Sequence, residues 1–234
     1  MIRVRRSGER GLAEHGWLTS RHSFSFADYY DPQEMGFGDL RVINEDIIAG
    51  GGGFPAHPHR NMEILTYVLD GALRHEDSMG HGSIIRAGDV QRMTAGTGVV
   101  HSEANASADA SVHLFQIWVL PDRTGYPPEY EQETPKKALR QGQFQTLASG
   151  RLDEPGLHWH QDARLLTAEL ATGTGASYSL ARGRRAYLHV IDGELRIGTL
   201  TLSTGDACRI EDETAIDLAA HRETRVLLFD LRGP

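Results

Sequence analysis

Two short groups of side chains carry the strongest chemical signal in this sequence, His57-Pro58-His59 and His101-Ser102-Glu103. On a β-strand, residues two apart project from one face with their Cα atoms about 6.5 to 7 Å apart, a span that one metal ion can bridge. Two such pairs on strands that face each other inside a small barrel would gather three imidazoles and a carboxylate around one point. A shell of three nitrogens and one oxygen, without thiolate, suits Fe(II), Mn, Co, Ni, Cu or Zn, and the residue types do not rank these metals. On a metal that prefers five or six ligands, four protein groups leave room for water, substrate or dioxygen. That separates a reactive centre from a closed structural one.

A histidine pair at this spacing is cheap in a chain with 12 histidines. His158-Trp159-His160 has the same spacing but no partner pair downstream, and it reads as structural or surface. Glu63 follows His59 closely, and spacing alone leaves the fourth ligand open between Glu63 and Glu103. Phe54, Met62, Phe115 and Trp118 lie near the ligand candidates in sequence and are the expected walls of a substrate pocket. Phe24, Phe26, Tyr29 and Tyr30 form an aromatic cluster that reads as core.

Strands are the elements that must hold these groups. Short apolar or alternating segments at residues 40–43, 64–69, 114–120, 187–191 and 225–231 are punctuated by turns, and no long helical period appears. A chain of 234 residues rich in such segments, with 26 glycines against 9 prolines, suits two β-sandwich or barrel domains. Four prolines between Pro121 and Pro135, without apolar periodicity, mark the connection. The expected division is therefore an N-terminal metal-binding domain at 1–125, a linker at 126–145 and a C-terminal domain at 146–234.

The halves echo each other. VLDGAL at 68–73 and VIDGEL at 190–195 are each a hairpin signal, and each is followed by a Gly-Asp pair, at Gly88-Asp89 and Gly205-Asp206. Aligned on the hairpins, His57, His59 and Glu63 fall on Ser179, Ala181 and Arg185. Counted from the later turn, His101 and Glu103 fall on Leu218 and Ala220. Only the first half retains a site.

Acidic residues outnumber basic ones 32 to 24, for a net charge of -8, so no general attraction to nucleic acid or anionic lipid is expected. The densest basic run, 182–185, is broken by Gly183 and reads as a solvated turn. Cys208 is the single cysteine, which excludes an intramolecular disulfide and reads as a small buried residue. No apolar run approaches membrane-spanning length, and a reduced cytoplasm is the expected location.

The surroundings of the two motifs resemble those of cupins. Five residues separate Gly51 from His57, three separate His59 from Glu63, and Gly88 leads through Thr94-Ala95-Gly96 to His101 and Asn105. Thr94 stands where most cupins have proline, and Gly96 is farther from the histidine than is usual. Those departures match the pirin family, which the first 120 residues resemble almost continuously. The resemblance lies in HSFSFADYYDP from His22, MGFGDLRVINED from Met35, HPHRNMEILTYVLDG from His57, DSMG from Asp77 and QRMTAGTGVVHSEAN from Gln91. In the second half it rests on His160-Gln161-Asp162 and the closing VLLFDL, and it is nearest to the short bacterial pirins with quercetinase activity.

This resemblance implies an all-β bicupin, two tandem jelly-roll barrels of which the second is degenerate and metal-free. It implies His57, His59, His101 and Glu103 as ligands of one divalent ion, with iron favoured. Glu63 is then left to orient a ligand imidazole. The implied activity is quercetin 2,3-dioxygenase-like cleavage of a flavonol, or another enolic or phenolic compound, by O2 with release of CO. Glu103 would serve as general base. A metal-dependent, redox-sensing regulator that binds a transcription factor or an enzyme is the alternative. The partners expected are a small aromatic substrate and O2, with no nucleic acid or membrane, and the chain is expected to be a monomer.

Overall fold

Apolar segments buried nearly throughout, together with segments of alternating burial, set the architecture in the computed structural model, which describes residues 1–135 and 142–233. The first strands are β1 (Ile2–Arg5), β2 (Gly11–Glu14), β3 (Leu18–His22), β4 (Leu40–Ile48), β5 (Gly53–His59) and β6 (Glu63–Asp70). Next come β7 (Ala72–Asp77), β8 (Gly82–Arg86), β9 (Val90–Thr94), β10 (Val99–Asn105), β11 (Val112–Val119) and β12 (Glu129–Glu133). Then follow β13 (Gln145–Ser149), β14 (Leu157–His158), β15 (Ala163–Leu170), β16 (Gly175–Ser179) and β17 (Arg184–Asp192). The last are β18 (Glu194–Ile197), β19 (Leu200–Ser203), β20 (Ala207–Ile210), β21 (Ala215–Ala220) and β22 (Thr224–Arg232).

Chain contacts form two units. One is Gly11–Pro135 with Leu157–Gln161; the other comprises the described residues of Met1–Arg10, Lys136–Gly156 and Asp162–Pro234. The first ten residues join the second unit because β1 pairs with β20, placing Ile2 opposite Ile210. Part of the expected linker is also a strand: β12 pairs with β9, its Glu129 and Glu131 reaching the buried Arg92. Its lack of apolar alternation hid it from sequence reading. Residues 136–141 of that expected linker lie outside the described residues.

The first unit is a barrel of two antiparallel sheets, β12-β9-β6-β11-β4-β3-β2 and β5-β10-β7-β8. The second repeats the plan, with β1-β20-β17-β22-β15-β13 in one sheet and β16-β21-β18-β19 in the other. Both are jelly-roll barrels of the cupin type.

The echo between the halves is a repeated set of bonds. Gly88 N donates to Val68 O and Gly205 N to Val190 O, both at 2.8 Å; Ala87 N donates to Gly71 O and Thr204 N to Gly193 O, both at 3.0 Å. Gly71 and Gly193 sit at φ +76 and +92, where an added Cβ would meet the carbonyl oxygens of Ser111 and Glu223. No other residue type fits these turns without strain.

The interiors differ. In the second barrel one continuous apolar cluster, including Leu188, Val190, Leu195, Leu202, Ile216, Leu218 and Leu228, fills the space between sheets, with Cys208 among them. In the first, smaller apolar clusters around Val68 and around Met93 stand beside buried polar residues such as His75, His101, Glu103 and Gln116. The site lies among these polar residues.

Candidate metal centre and its cavity

β5 and β10 are hydrogen-bonded neighbours whose register sets His57 opposite His101. The two motifs therefore lie side by side in one sheet, and not on strands facing each other across the barrel as their spacing suggested. Alternation turns His57 and His59 to one face of β5 and Pro58 to the other. Past His101 the register slips at a bulge, which puts Glu103 opposite Phe54 on β5. On its other side Glu103 stands opposite His75 of β7.

The ring centroids of His57, His59 and His101 are 4.5 to 4.8 Å apart, and one nitrogen from each lies within 4.8 Å of the others. His57 Nδ1 is 2.8 Å from the Pro55 carbonyl, which can only accept, so Nδ1 carries the proton and Nε2 is the bare electron pair. His101 is only 2% exposed, yet neither of its ring nitrogens has a hydrogen-bond partner. An unpartnered buried polar group costs about 1 to 3 kcal/mol, which a bond to a metal ion offsets. The donor set fits a divalent transition ion.

Burial, then the charge of His57, holds His59 down at about 4; burial, then His57, His59 and His75, holds His101 down at about 3. Both rings are neutral at physiological pH, as a metal ligand must be. Glu103, 3% exposed, is pushed up to about 7 by burial and next by Asp46. Its Oε2 accepts from Gln116 Nε2 at 2.7 Å, and the Thr66 hydroxyl lies 3.4 Å from its Oε1. Glu103 groups most closely with His101 and His75.

These residues open onto a cavity of about 940 Å³. Of the four expected wall residues, Phe54 and Trp118 line it; Trp118 meets His59 edge to face, with centroids 4.9 Å apart. Met62 instead packs against the Ile64, Met93, Ala95 and Val99 cluster. Phe115 is fully buried on the opposite face of β11 from Gln116 and Trp118. Nearness in sequence did not report the face.

The aromatic cluster read as core is divided. Phe24 is buried and Tyr30 is 72% exposed, whereas Phe26 and Tyr29 line the cavity. Phe26 and Tyr29 exchange backbone hydrogen bonds of 3.0 Å across a tight turn, in which Ala27 takes φ +49. Ser20, His22, Asn44 and Asp46 add polar groups to the cavity wall. Burial pushes Asp46 up to about 6, and its Oδ1 has no partner. Nothing in the local pattern of residues 44–46 signalled this; only the alternation of β4 turns Asn44 and Asp46 to the same side.

Glu63 does not orient a ligand imidazole. The next residue, Ile64, lines the cavity, so Glu63 points to the other face of β6, where Oε2 accepts from Thr94 Oγ1 at 2.8 Å and the carboxylate also accepts from the His160 backbone. It fastens the returning segment Leu157–Gln161. His160 in that segment stacks on Tyr126, with centroids 3.7 Å apart, and lies 3.4 Å from Glu129. Among the described residues, His158 and His160 belong to no metal-competent group.

Residues 2–119 match the family model Pirin, and residues 146–231 match that of a quercetinase C-terminal cupin domain. A protein of Escherichia coli K12 called quercetin 2,3-dioxygenase is 46% identical over 231 residues, covering 99% of each chain. A pirin-like protein of Caulobacter vibrioides is 42% identical over 221 residues, covering 94% of this chain and 95% of that one. The crystal structure of the bacterial pirin YhhW from Escherichia coli in complex with nickel(II) is similar at a TM-score of 0.94 and 44% identity, with all of both chains covered. This chain belongs to the pirin family.

Proposed function

We propose that the protein is a metal-dependent dioxygenase acting on flavonols of the quercetin type or on related enolic and phenolic compounds. His57, His59, His101 and Glu103 hold its one divalent ion, with iron favoured by family resemblance. The observation that carries this reading is the convergence of three imidazoles on the wall of an aromatic cavity, one of them buried with both nitrogens unpartnered. Relatives called quercetin 2,3-dioxygenase supply the substrate class.

When bound, the ion lowers the pKa of the flavonol 3-hydroxyl and holds the resulting anion. Glu103 accepts that proton. Its placement beside His101, and the donation from Gln116 that fixes its orientation, make it the proton acceptor nearest the centre. Trp17, Phe26, Tyr29, Phe54 and Trp118 offer flat walls to fused rings and exclude water. Asn44 and Asp46, also on the cavity wall, receive ring hydroxyls; Asp46 Oδ1 is an acceptor with no protein donor. One O2 is consumed per flavonol, both oxygen atoms enter the organic product, and one ring carbon leaves as CO.

The test uses protein purified and metal-loaded without oxygen. Quercetin loss is followed by absorbance while O2 uptake and trapped CO are measured in the same vessel. Equimolar consumption of quercetin and O2 with release of CO is expected. Equal quercetin loss with apo and loaded protein overturns the reading.

A further inference from the structure

His75 has no neighbouring histidine in its sequence motif, yet it is fully buried and stands directly opposite Glu103. Its Nε2 lies 3.2 Å from Asp77 Oδ2. The Asp77 carboxylate is held in turn by the Met79 and His81 backbone N–H groups, at 2.9 and 3.0 Å on Oδ1. With two backbone N–H groups already donating to it, this carboxylate faces His75 as an acceptor. A carboxylate accepts, which leaves the proton of neutral His75 on Nε2 and a bare electron pair on Nδ1. That Nδ1 has no hydrogen-bond partner. A buried imidazole whose one nitrogen is anchored to a carboxylate and whose other is bare has the arrangement of a metal ligand.

One donor atom from each of His75, His101 and Glu103 lies within 4.8 Å of the others, as in the His57, His59 and His101 group, and His101 belongs to both. We infer that the barrel offers its ion a second, deeper position held by His75, His101 and Glu103, which overlaps the first through His101 and Glu103. This inference rests on the proposed metal centre and extends it. An ion in the deeper position gives up His57 and His59, which line the cavity, and gains His75, which does not. Glu103 and the Asp77 carboxylate behind His75 balance its charge. Because the two positions share both His101 and Glu103, they are alternatives for one ion.

Cobalt(II) is the probe, measured at one fixed pH by equilibrium dialysis and by X-ray absorption, which counts imidazole ligands. The wild-type full chain is expected to bind one cobalt per chain. His57→Ala/His59→Ala should still bind one cobalt more weakly, with two imidazoles, and adding His75→Gln should abolish that binding. Failure of the wild type to bind cobalt would defeat the metal centre itself. Binding by the wild type with none by the double variant would overturn only the deeper position, as would residual binding that survives His75→Gln. Should the double variant not fold, the single variants His57→Ala and His59→Ala replace it. Adding His75→Gln to either should then lower cobalt affinity at least about tenfold more than adding it to the wild type. Equal losses in both backgrounds overturn the inference.

Discussion

Gln116 donates from Nε2 to Glu103 Oε2 at 2.7 Å, and so fixes a carboxylate that has an oxygen within 4.8 Å of a His101 nitrogen. Both side chains are buried, so the bond is made in a region of low dielectric and the orientation has few alternatives. Gln116→Leu keeps a similar volume but removes the donor. Metal affinity should fall about 10- to 100-fold, the usual loss when an outer partner of a ligand is removed. Competition against a fluorescent chelator would measure it. Unchanged affinity would separate Glu103 from the metal.

Glu103→Gln isolates the basicity of that residue. It keeps an oxygen donor of nearly the same shape, so metal should be retained while quercetin turnover falls by about 100-fold or more. Elemental analysis and initial rates on the same sample decide the matter. A full rate in the variant would remove the general base.

His57→Ala, His59→Ala or His101→Ala should each weaken metal binding by more than the loss at Gln116, because each removes a direct donor and disturbs the geometry of the rest. Glu63→Ala should keep the metal, since Glu63 faces Thr94 and His160 on the far side of β6. Elemental analysis after extensive dialysis distinguishes the two groups. Loss of metal from Glu63→Ala with retention in Glu103→Ala would reverse the assignment of the fourth ligand.

Glu63 also predicts a pH dependence. Burial raises its pKa from 4.5 to about 7, so between these values the folded chain keeps a proton that the unfolded chain has released. Stability contributed by this group therefore falls as pH rises from 4.5 through 7, and the loss is complete above that. Glu63→Gln cannot lose the proton. Its Tm relative to that of the wild type should rise between pH 5 and pH 8, by the equivalent of at most ~3 kcal/mol. Asp46 and Glu103 are present in both proteins and largely cancel. A Tm difference that does not change with pH would show that Glu63 does not titrate in this range.

The histidine motifs were legible because period-2 alternation is a local property: His57 and His59 must share a face wherever the strand goes. The hairpins at Gly71 and Gly193 were legible for the same reason, since only glycine suits their backbone. What a strand pairs with is not local. That β5 lies beside β10, that a bulge sets Glu103 opposite Phe54, and that His75 closes the far side of Glu103 follow from register across segments distant in sequence. The same gap explains β12, an edge strand made of polar residues, and Phe26 and Tyr29, whose turn reaches the cavity from well before the motifs.

Phe26 and Phe115 give the sharpest test of that distinction, because sequence reading placed Phe115 in the pocket and Phe26 in the core. Phe26 contributes a cavity wall at a tight turn and meets Trp118 edge to face with centroids 5.3 Å apart. Removing its ring takes away one aromatic contact with a flat substrate, worth about 0.5 to 1.5 kcal/mol beyond the area it covers. Phe26→Ala should therefore raise KM for quercetin by roughly tenfold or less while leaving metal content unchanged. Phe115 is fully buried on the other face of β11, so Phe115→Ala leaves a void that costs about 3 to 5 kcal/mol. That loss should lower Tm by roughly 10 °C, while at temperatures where the variant remains folded its KM should match the wild type. Steady-state kinetics at low temperature, with melting curves on the same preparations, test both halves. If Phe115→Ala raised KM without lowering Tm, and Phe26→Ala did the reverse, the cavity would have to be moved to the opposite face of β11.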